Sequence, residues 1–241
     1  MTIRLFVDVP LQAGATLVLP PAAARHAQVR RVQPGDVLQL FDGHGADWPA
    51  EVLAMGRSEV SVRLGTPQPV QRELPHAVLL AVGMPANDRM DTLVEKATEL
   101  GVAAIQPLLC ERSVLRPDGE RAAKKQAHWQ GVAVAACEQS GRACVPVIEP
   151  VRTLAQWLAA LPGPGPGIGQ RLLLSPHAGA MPLHQVAAGP LCALSGPEGG
   201  LAPAEEAAAL AAGFSAIGLG PRVLRADTAP LALLAWASLR Q

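Results

Sequence analysis

The stretch GPLCALSGPEGGLAPAEEAAALAAG, residues 189–213, sets a glycine-rich turn between two runs of different character. The run before the turn is short and apolar, which predicts a buried β-strand. The run after it is rich in alanine and glutamate, which are strong helix formers, and predicts an α-helix. The stretch therefore predicts a strand, a turn and a helix, the unit from which α/β sheets are built.

The same alternation continues on both sides of this stretch, from residue 76 to the end of the chain. Apolar runs that predict strands cover residues 76–84, 103–110, 145–149, 171–175, 189–195 and 214–220. Runs that predict helices cover residues 87–101, 117–141, 153–161, 203–213 and 226–241. Near-continuous apolar strands that alternate with helices are typical of a parallel α/β sheet. Ligands of such sheets bind beyond the carboxyl ends of the strands, where the glycine-rich turn lies.

Several helix ends carry capping signals. Asn87 or Asp88 is predicted to cap the start of the helix at 87–101, and Gly101 its end. Asp227 or Thr228 is predicted to cap the last helix.

Residues 1–72 have a different pattern. Short apolar runs at 3–7, 15–19, 36–41, 50–55 and 59–64 are separated by turn signals, and one helix-like run lies at 21–32. Several short strands at this spacing predict a small β-barrel. Residues 65–75, rich in proline and polar side chains, predict a linker, and the run PGPGPGIGQ at 162–170 predicts a surface loop. We therefore predict two domains, residues 1–72 and 73–241.

The charge balance argues against a protein that binds nucleic acid by bulk charge. The chain has 241 residues, of which 17% are charged, and its formal net charge is zero. A local basic face is nevertheless enough to bind RNA. Residues 21–35 carry Arg25, His26, Arg30 and Arg31 and no acidic residue. This cluster predicts an RNA-binding surface; the alternative is an ordinary solvated helix face.

Cysteine spacing and hydropathy limit the class of protein further. None of the four cysteines forms a C-x-x-C pair, and their spacing fits no zinc site, so we expect buried thiols in a reduced cytosol and no metal. No apolar run approaches the ~20 residues that span a bilayer. The start of the chain lacks the apolar run of a signal peptide. We expect a soluble, cytoplasmic protein.

The turn SGPEGG, residues 195–200, matches none of the common nucleotide or hydrolase motifs. It lacks the lysine of a phosphate-binding loop, it is not G-x-G-x-x-G, and Ser195 lacks the G-x-S-x-G frame. Glycines there allow positive φ and close approach of the backbone to a flat ligand. A tight strand-to-helix turn without a ligand is the alternative interpretation.

A second loop, GLGPRVLRADTAP at residues 218–230, favours a ligand. Arg222 and Arg225 precede the start of the last predicted helix. A cation is unfavourable at a helix N-terminus, so Arg225 indicates an anionic partner such as an RNA phosphate.

These two loops together resemble a known family. The segment LSGPEGGLAPAE (194–205) followed by AIGLGPRVLRADTAPLALLA (216–235) is similar to the signature of SPOUT-class methyltransferases and, more narrowly, of the RsmE family. Further family-like segments are RHAQVRRVQPGDVLQLFDGHG (25–45), EKATELGV (95–102), ERSV (111–114) and ACEQSGR (136–142). Their order and spacing are more specific than either glycine loop alone.

The resemblance implies a PUA-like RNA-binding β-barrel at residues 1–72 and a SPOUT methyltransferase domain at 73–241 with a C-terminal trefoil knot. It implies a homodimer that uses S-adenosylmethionine, and no metal, to methylate N3 of a uridine in 16S ribosomal RNA of the assembled small ribosomal subunit. The alternative is a non-catalytic RNA-binding or ribosome-assembly module with the same fold.

Carried onto this chain, the resemblance also implies functional residues. The cofactor site would consist of Leu174, Ser175, Ser195, Gly196, Pro197, Gly200, Leu219, Gly220, Val223 and Leu224. Arg225 would stabilise an anionic uracil, while Glu198 would either accept its proton or orient the loop. Arg112, Glu138 and Arg142 would contact RNA or, alternatively, form an ion-pair network in the dimer interface.

The last loop departs from the family at two positions. The family has glutamate followed by threonine where this chain has Asp227 and Thr228, and Pro230 is unusual there. We therefore interpret Asp227 as a helix cap rather than as a catalytic group.

Overall fold

The computed structural model describes residues 2–57, 59–86, 88–163, 169–177 and 179–240. It divides into two compact units. The first consists of Met1–Glu73 with Val134–Val145, and the second of Leu74–Ala133 with Pro146–Gln241. The predicted cap Asn87 and residues 164–168 of the predicted proline–glycine loop lie outside the described residues.

The first unit is built on a six-stranded sheet and one helix. Its strands are β1 (Arg4–Phe6), β2 (Thr16–Val18), β3 (Val37–Phe41), β4 (Ala46–Met55), β5 (Val60–Leu64) and β6 (Gln68–Pro69), and its helix is α1 (Pro21–Val29). The strands lie in the order β1-β3-β4-β5-β2, with β6 paired to β4. The β1–β3 pair is parallel and the other pairs are antiparallel.

Alternation of side chains explains the core of this unit. Val60, Val62 and Leu64 of β5 are buried, because every second residue of a strand points to the same face. Helix α1 buries small side chains on its inner face, Ala23, Ala24 and Ala27.

Two details of the first unit differ from the sequence prediction. The predicted linker at 65–75 contains β6, in which Pro69 pairs with Ala46 and Gln68 with Asp47. Strand β4 begins at Ala46, four positions before the predicted run at 50–55. Both differences arise from backbone pairing between distant segments, which hydropathy does not record.

The second unit is an α/β layer structure. Its strands are β7 (Val78–Gly83), β8 (Ala104–Leu109), β9 (Val147–Ile148), β10 (Arg152–Thr153), β11 (Gln170–Leu174), β12 (Met181–Pro182), β13 (Leu191–Ser195) and β14 (Ser215–Gly218). Its helices are α2 (Arg89–Glu99), α3 (Gly119–Ser140), α4 (Leu154–Ala160), α5 (Pro203–Ala211) and α6 (Thr228–Ser238); residues 134–140 of α3 belong to the first unit.

All strand pairs of the second unit are parallel, as the sequence predicts. The strand order is β10-β8-β7-β13-β11-β14-β12, with β9 beside β8. Strand β13, which ends at Ser195, therefore lies in the middle of the sheet between β7 and β11. The loops that follow β11, β13 and β14 leave the same edge, because the strands run in one direction.

Helices cover both faces of this sheet. On one face, Leu80 of β7 and Ala193 of β13 pack with side chains of α2, α3 and α6, among them Trp129. On the other face, Leu194 of β13 packs with α4 and α5, among them Trp157. Burial on both faces explains why these strands are apolar along their whole length.

One predicted helix cap is confirmed and one is not. Gly101 ends α2 with φ +92°, a conformation that favours glycine. Helix α2 begins after Asp88, whose side chain makes no capping hydrogen bond.

The cysteines are free thiols, and Cys110 and Cys137 are buried. Burial raises the pKa of each of these two thiols to about 12 and that of Cys192 to about 11. These thiols therefore remain protonated near neutral pH. Within the described ranges, no helix has the length and hydropathy to cross a bilayer, and no cluster of three His, Cys, Asp or Glu side chains is arranged to hold a metal.

Candidate functional site

A cavity of about 520 Å³ lies at the carboxyl ends of β11, β13 and β14. Every residue predicted to bind the cofactor lines it: Leu174, Ser175, Ser195, Gly196, Pro197, Gly200, Leu219, Gly220, Val223 and Leu224. Glu198, Arg112 and Arg225 also line it. The two glycine loops of the sequence thus line one cavity.

The glycine loop, residues 195–201, has a shape that larger residues would not adopt. Gly200 has φ +68°. A Cβ on Gly196 would lie 2.8 Å from the Leu201 nitrogen, which is closer than real Cβ atoms approach backbone. The loop is closed by a hydrogen bond of 2.8 Å from the Gly200 N–H to the Pro197 carbonyl. Glycine is therefore required by the backbone itself at these positions.

Ser195 offers an unused polar group at the base of the loop. Its side chain is buried, and its Oγ has no hydrogen-bond partner among the described residues. Ser195 also lines the cavity. A buried hydroxyl without a partner is costly to the fold.

Glu198 is held by the loop that follows β7. Its Oε1 accepts a hydrogen bond of 2.9 Å from the Ala86 N–H and lies 3.2 Å from Nη1 of Arg89. The carboxylate is therefore already paired with a donor and a cation. This geometry favours the second of the two predicted roles, orientation of the glycine loop.

Arg112 points at the glycine loop. Its Nη1 donates to the Gly199 carbonyl at 2.9 Å and to the Leu201 carbonyl at 3.3 Å. These contacts place the guanidinium in the wall of the cavity.

Arg222 and Arg225 lie on the exposed side of the second loop and line the cavity. Across the described ranges of the chain, neither guanidinium makes a hydrogen bond or ion pair. Two unpaired cations beside a cavity are suited to an anionic ligand.

The start of α6 is capped differently from the prediction. The Arg225 carbonyl accepts hydrogen bonds of 3.0 Å from both Thr228 N–H and Ala229 N–H. Asp227 precedes the helix, but its side chain makes no capping bond, and its buried Oδ1 has no partner among the described residues. The prediction that the Asp227 or Thr228 side chain caps α6 was therefore wrong, because a backbone carbonyl satisfies these N–H groups.

Sequence reasoning missed three polar residues of the cavity wall. Arg89 stands on α2, while His177 and Glu206 come from the segment after β11 and from α5. His177 Nε2 lies 3.4 Å from Glu206 Oε1. His177 lies two positions after the predicted strand end at 171–175, so the carboxyl-end rule could have found it. No local pattern marks the other two.

The basic cluster of the first unit lies at the end of α1. Arg25, Arg30 and Arg31 are all exposed. Arg31 has φ +56°, the left-handed conformation that favours glycine. All three arginines of the predicted RNA-binding surface are therefore open to solvent.

Glu138 and Arg142, the other predicted RNA contacts, lie inside the first unit. The Arg142 side chain is 5% exposed and forms an ion pair with Glu73. Glu138 Oε1 accepts a hydrogen bond of 2.9 Å from the Phe6 N–H, and its Oε2 lies 3.3 Å from Nδ1 of His26. Both side chains have intramolecular partners, so this arrangement leaves them poorly placed for RNA.

Family models match both parts of the chain. A model described as RNA methyltransferase domain matches residues 72–238. A model described as RNA methyltransferase PUA domain matches residues 19–65.

Curated relatives match over nearly the full length. A ribosomal RNA small subunit methyltransferase E from Synechocystis is 34% identical, covering 98% of this chain and 77% of that protein. The protein of the same name from Mycobacterium bovis is 34% identical, covering 93% and 86% respectively.

Solved structures show the same fold. The ribosomal RNA small subunit methyltransferase E from Neisseria gonorrhoeae, bound to S-adenosyl methionine, has a TM-score of 0.91 at 34% identity, covering 100% of this chain and 98% of that one. A putative methyltransferase from Legionella pneumophila, in complex with the bound cofactor SAM, has a TM-score of 0.92 at 32% identity, with the same coverage of both chains.

Proposed function

The chain belongs to the ribosomal RNA small subunit methyltransferase E family, and on that premise we propose that it transfers a methyl group from S-adenosylmethionine to uracil N3 of a uridine in 16S ribosomal RNA. The substrate we propose is the assembled small subunit. The observation that carries the proposal is the single cavity formed by both family-like glycine loops at the carboxyl edge of the sheet.

The cavity fits S-adenosylmethionine in size and in polar groups. Its volume of about 520 Å³ lies within the range of small-molecule sites. The glycine loop presents backbone where a side chain would fill space, and the Ser195 hydroxyl is buried without a partner among the described residues. We assign cofactor binding to Ser195, Gly196 and Gly200, together with the other predicted residues that line the cavity.

When bound, the cofactor supplies a methyl group on a positively charged sulfur. Displacement at that methyl needs an aligned nucleophile more than a covalent partner in the protein. Uracil N3 becomes a nucleophile only after it loses its proton. We propose that Arg225 favours this loss, since its guanidinium has no partner among the described residues and would stabilise the anionic ring.

For Glu198 we propose loop orientation rather than proton transfer. Its Oε1 is occupied by the Ala86 N–H and by Arg89. These two contacts hold the carboxylate against the loop that follows β7 and the start of α2. The N3 proton would then pass to water.

We propose that the first unit contacts RNA through the exposed arginines at the end of α1, Arg25, Arg30 and Arg31. Cations on one surface suit phosphates, and alanine at Arg30 and Arg31 should weaken the dependence of RNA affinity on salt concentration.

We also propose a homodimer. Helix α6 is apolar around its whole circumference, and Leu239 just after it is 86% exposed. A helix of this kind is normally covered on all sides. The trefoil knot stays a prediction from the family resemblance, and a cytoplasmic location stays a prediction from cysteine spacing and hydropathy.

The decisive experiment uses small ribosomal subunits from a strain that lacks the modification. The protein is incubated with these subunits and S-adenosylmethionine, and the digested RNA is analysed for N3-methyluridine by mass spectrometry. Its appearance is the expected result. If cofactor binds but this nucleoside is absent, the target base or RNA is wrong. If neither binding nor product is found, the non-catalytic assembly module becomes the better interpretation.

A further inference from the structure

The turn after β8, residues 110–113, contacts the glycine loop through two independent side chains. Arg112 Nη1 donates to the carbonyls of Gly199 and Leu201, at 2.9 and 3.3 Å. The Glu111 N–H of the turn also donates a hydrogen bond of 2.8 Å to Glu205 Oε1 on α5. The turn thus donates hydrogen bonds both to the glycine loop and to the helix that follows it.

Glu205 also binds the backbone directly after the glycine loop. Its Oε2 accepts a hydrogen bond of 2.9 Å from the Ala202 N–H at the start of α5. One carboxylate therefore links the start of α5, next to the glycine loop, to the backbone of the turn.

The turn is rigid enough to serve as an anchor. Ser113 Oγ accepts a hydrogen bond of 3.0 Å from the Cys110 N–H, and Cys110 is buried. Arg116 Nη1 donates to the Glu111 carbonyl at 3.0 Å. The backbone of the turn, which carries Arg112, is therefore held by hydrogen bonds other than those that Arg112 makes to the loop.

We propose that Arg112 is a positioning residue that holds the glycine loop in the shape that binds the methyl donor, rather than an RNA contact. The inference rests on the proposed function, because it assigns S-adenosylmethionine to the cavity.

The geometry of the Arg112 contacts supports this role. By holding the Gly199 and Leu201 carbonyls, one guanidinium fixes two peptide planes of the loop. The fit is close, since a Cβ on Gly199 would lie 3.1 Å from the Arg112 Cβ. Glycine-rich backbone has many alternative conformations, so an anchor that selects one of them lowers the entropic cost of binding. Glu198 anchors the other side of the same loop through Ala86 and Arg89.

The test measures cofactor and RNA binding separately in full-length variants. Arg112→Ala and Arg112→Lys are compared with Arg121→Ala, a matched control in which an exposed arginine of α3 is removed. Affinity for S-adenosylmethionine is measured by calorimetry. Affinity for unmodified small subunits is measured as a function of salt concentration.

We expect Arg112→Ala to weaken cofactor affinity on the order of tenfold, the effect of losing a charged hydrogen-bond donor. The methylation rate at saturating cofactor should stay close to that of the unaltered protein, so KM rises while kcat is kept. Arg112→Lys should recover part of the affinity, because an ammonium is a point charge without the fork geometry of the guanidinium. Arg121→Ala should change neither quantity, and the salt dependence of RNA affinity should be the same in all variants.

A second variant tests whether turn and loop act as one unit. Glu205→Gln removes the negative charge. The amide nitrogen of glutamine is a donor, so one of the two N–H groups, of Glu111 or Ala202, loses its acceptor. The double variant Arg112→Ala/Glu205→Gln should lose less affinity than the product of the single losses, because both changes release the same loop.

Different failures separate the inference from the proposed function. If Arg112→Ala bound cofactor normally and its RNA salt slope fell by about 0.7–0.9, Arg112 would be a phosphate contact and the inference would be wrong. If Arg112→Ala did not fold, Arg112→Lys would replace it in both tests. Normal cofactor affinity of Arg112→Lys, together with equal affinities of Glu205→Gln and Arg112→Lys/Glu205→Gln, would then overturn the inference. If the unaltered protein bound no cofactor, the proposed function itself would fall.

Discussion

The glycine loop at 195–201 and the helix end at 137–142 both resemble the same family in sequence, yet their polar groups are used in different ways. In the glycine loop, Ser195 lines a cavity, and its buried hydroxyl has no partner among the described residues. At the helix end, the carbonyls of Cys137 and Arg142 accept hydrogen bonds from Arg4, and that of Gly141 accepts one from Arg72.

The helix end is stabilised by cations that meet its carbonyls. Arg4 Nη1 lies 2.7 Å from the Cys137 carbonyl, and Arg72 Nη1 lies 2.7 Å from the Gly141 carbonyl. Positive charge is favourable at a helix C-terminus. The helix end therefore has partners within the first unit, whereas the Ser195 hydroxyl of the glycine loop has none among the described residues.

The difference shows that the resemblance of a motif to a family does not by itself reveal what the residues of the motif do. The charged residues of EQSGR predicted RNA contact, but the Arg142 side chain is 5% exposed and paired with Glu73. What separates the two regions is whether their polar groups find partners within the protein. The following predictions test that distinction.

Arg225→Ala should have the largest effect. The guanidinium is exposed at the cavity and has no partner among the described residues, so its loss should lower the methylation rate roughly 10²- to 10³-fold. The free energy of unfolding should change by less than about 0.5 kcal/mol. Single-turnover rates and denaturant unfolding measure the two quantities.

The matched variant Arg225→Lys keeps the charge and should retain part of the rate. Equal rates for Arg225→Ala and the unaltered protein would remove Arg225 from the chemistry and weaken the contrast between the two regions.

Gly196→Ala should come next. The added Cβ would meet the Leu201 nitrogen at 2.8 Å, so the loop must shift, and cofactor affinity should fall roughly 10- to 100-fold. Gly131→Ala is the control, because Gly131 is an exposed residue within α3 with no atom within 4 Å of an added Cβ. That variant should keep full cofactor affinity and gain about 0.5–1 kcal/mol of stability. Calorimetry on both variants shows whether cofactor affinity depends on the shape of the glycine loop.

Arg142→Ala should lower stability without changing cofactor affinity, whereas Arg225→Ala should lower the methylation rate without changing stability. Removing the buried partner of Glu73 should lower the free energy of unfolding by about 2 kcal/mol, less than for a fully buried pair because Glu73 is 31% exposed. Cofactor affinity of the folded protein should be unchanged. The double variant Arg142→Ala/Glu73→Ala should recover part of the stability, since no charge is left without a partner. A stable Arg142→Ala protein with weaker RNA affinity would restore the RNA role.

Much of the second unit could be predicted from sequence because its signals are local. Long apolar strands alternate with helices, and parallel strands place their loops at one edge, so both glycine loops were expected to meet. The strands that were missed, β6, β10 and β12, have two residues each, too few to show a period.

Contacts within the cavity wall were harder to predict because they join distant positions. Glu198 meets Arg89 across 109 positions, and Arg112 meets Gly199 across 87. The direction of a side chain depends on such packing and not on its neighbours in sequence. For the same reason ERSV and EQSGR looked alike, although Arg112 lines the cavity and Arg142 lies in the interior of the first unit.

Arg31 offers the finest test, because stability and binding should move in opposite directions there. Apart from glycines, it alone among the residues the structure describes has positive φ, and it ends α1 with a hydrogen bond of 2.9 Å from its N–H to the Gln28 carbonyl. Arg31→Gly should raise the free energy of unfolding by up to about 1 kcal/mol, since glycine adopts this conformation freely. It should also lower the salt slope of RNA affinity by about 0.7–0.9, as expected for one lost phosphate contact.

Arg30→Ala is the matched variant for Arg31→Gly. Arg30 has φ −78°, so its removal takes away the same charge without relieving any backbone strain. It should lower the salt slope by a similar amount and leave stability nearly unchanged. If Arg31→Gly were more stable and still bound small subunits with the original salt slope, RNA contact would not explain an arginine at a position that favours glycine. The cluster on α1 would then be an ordinary solvated helix end.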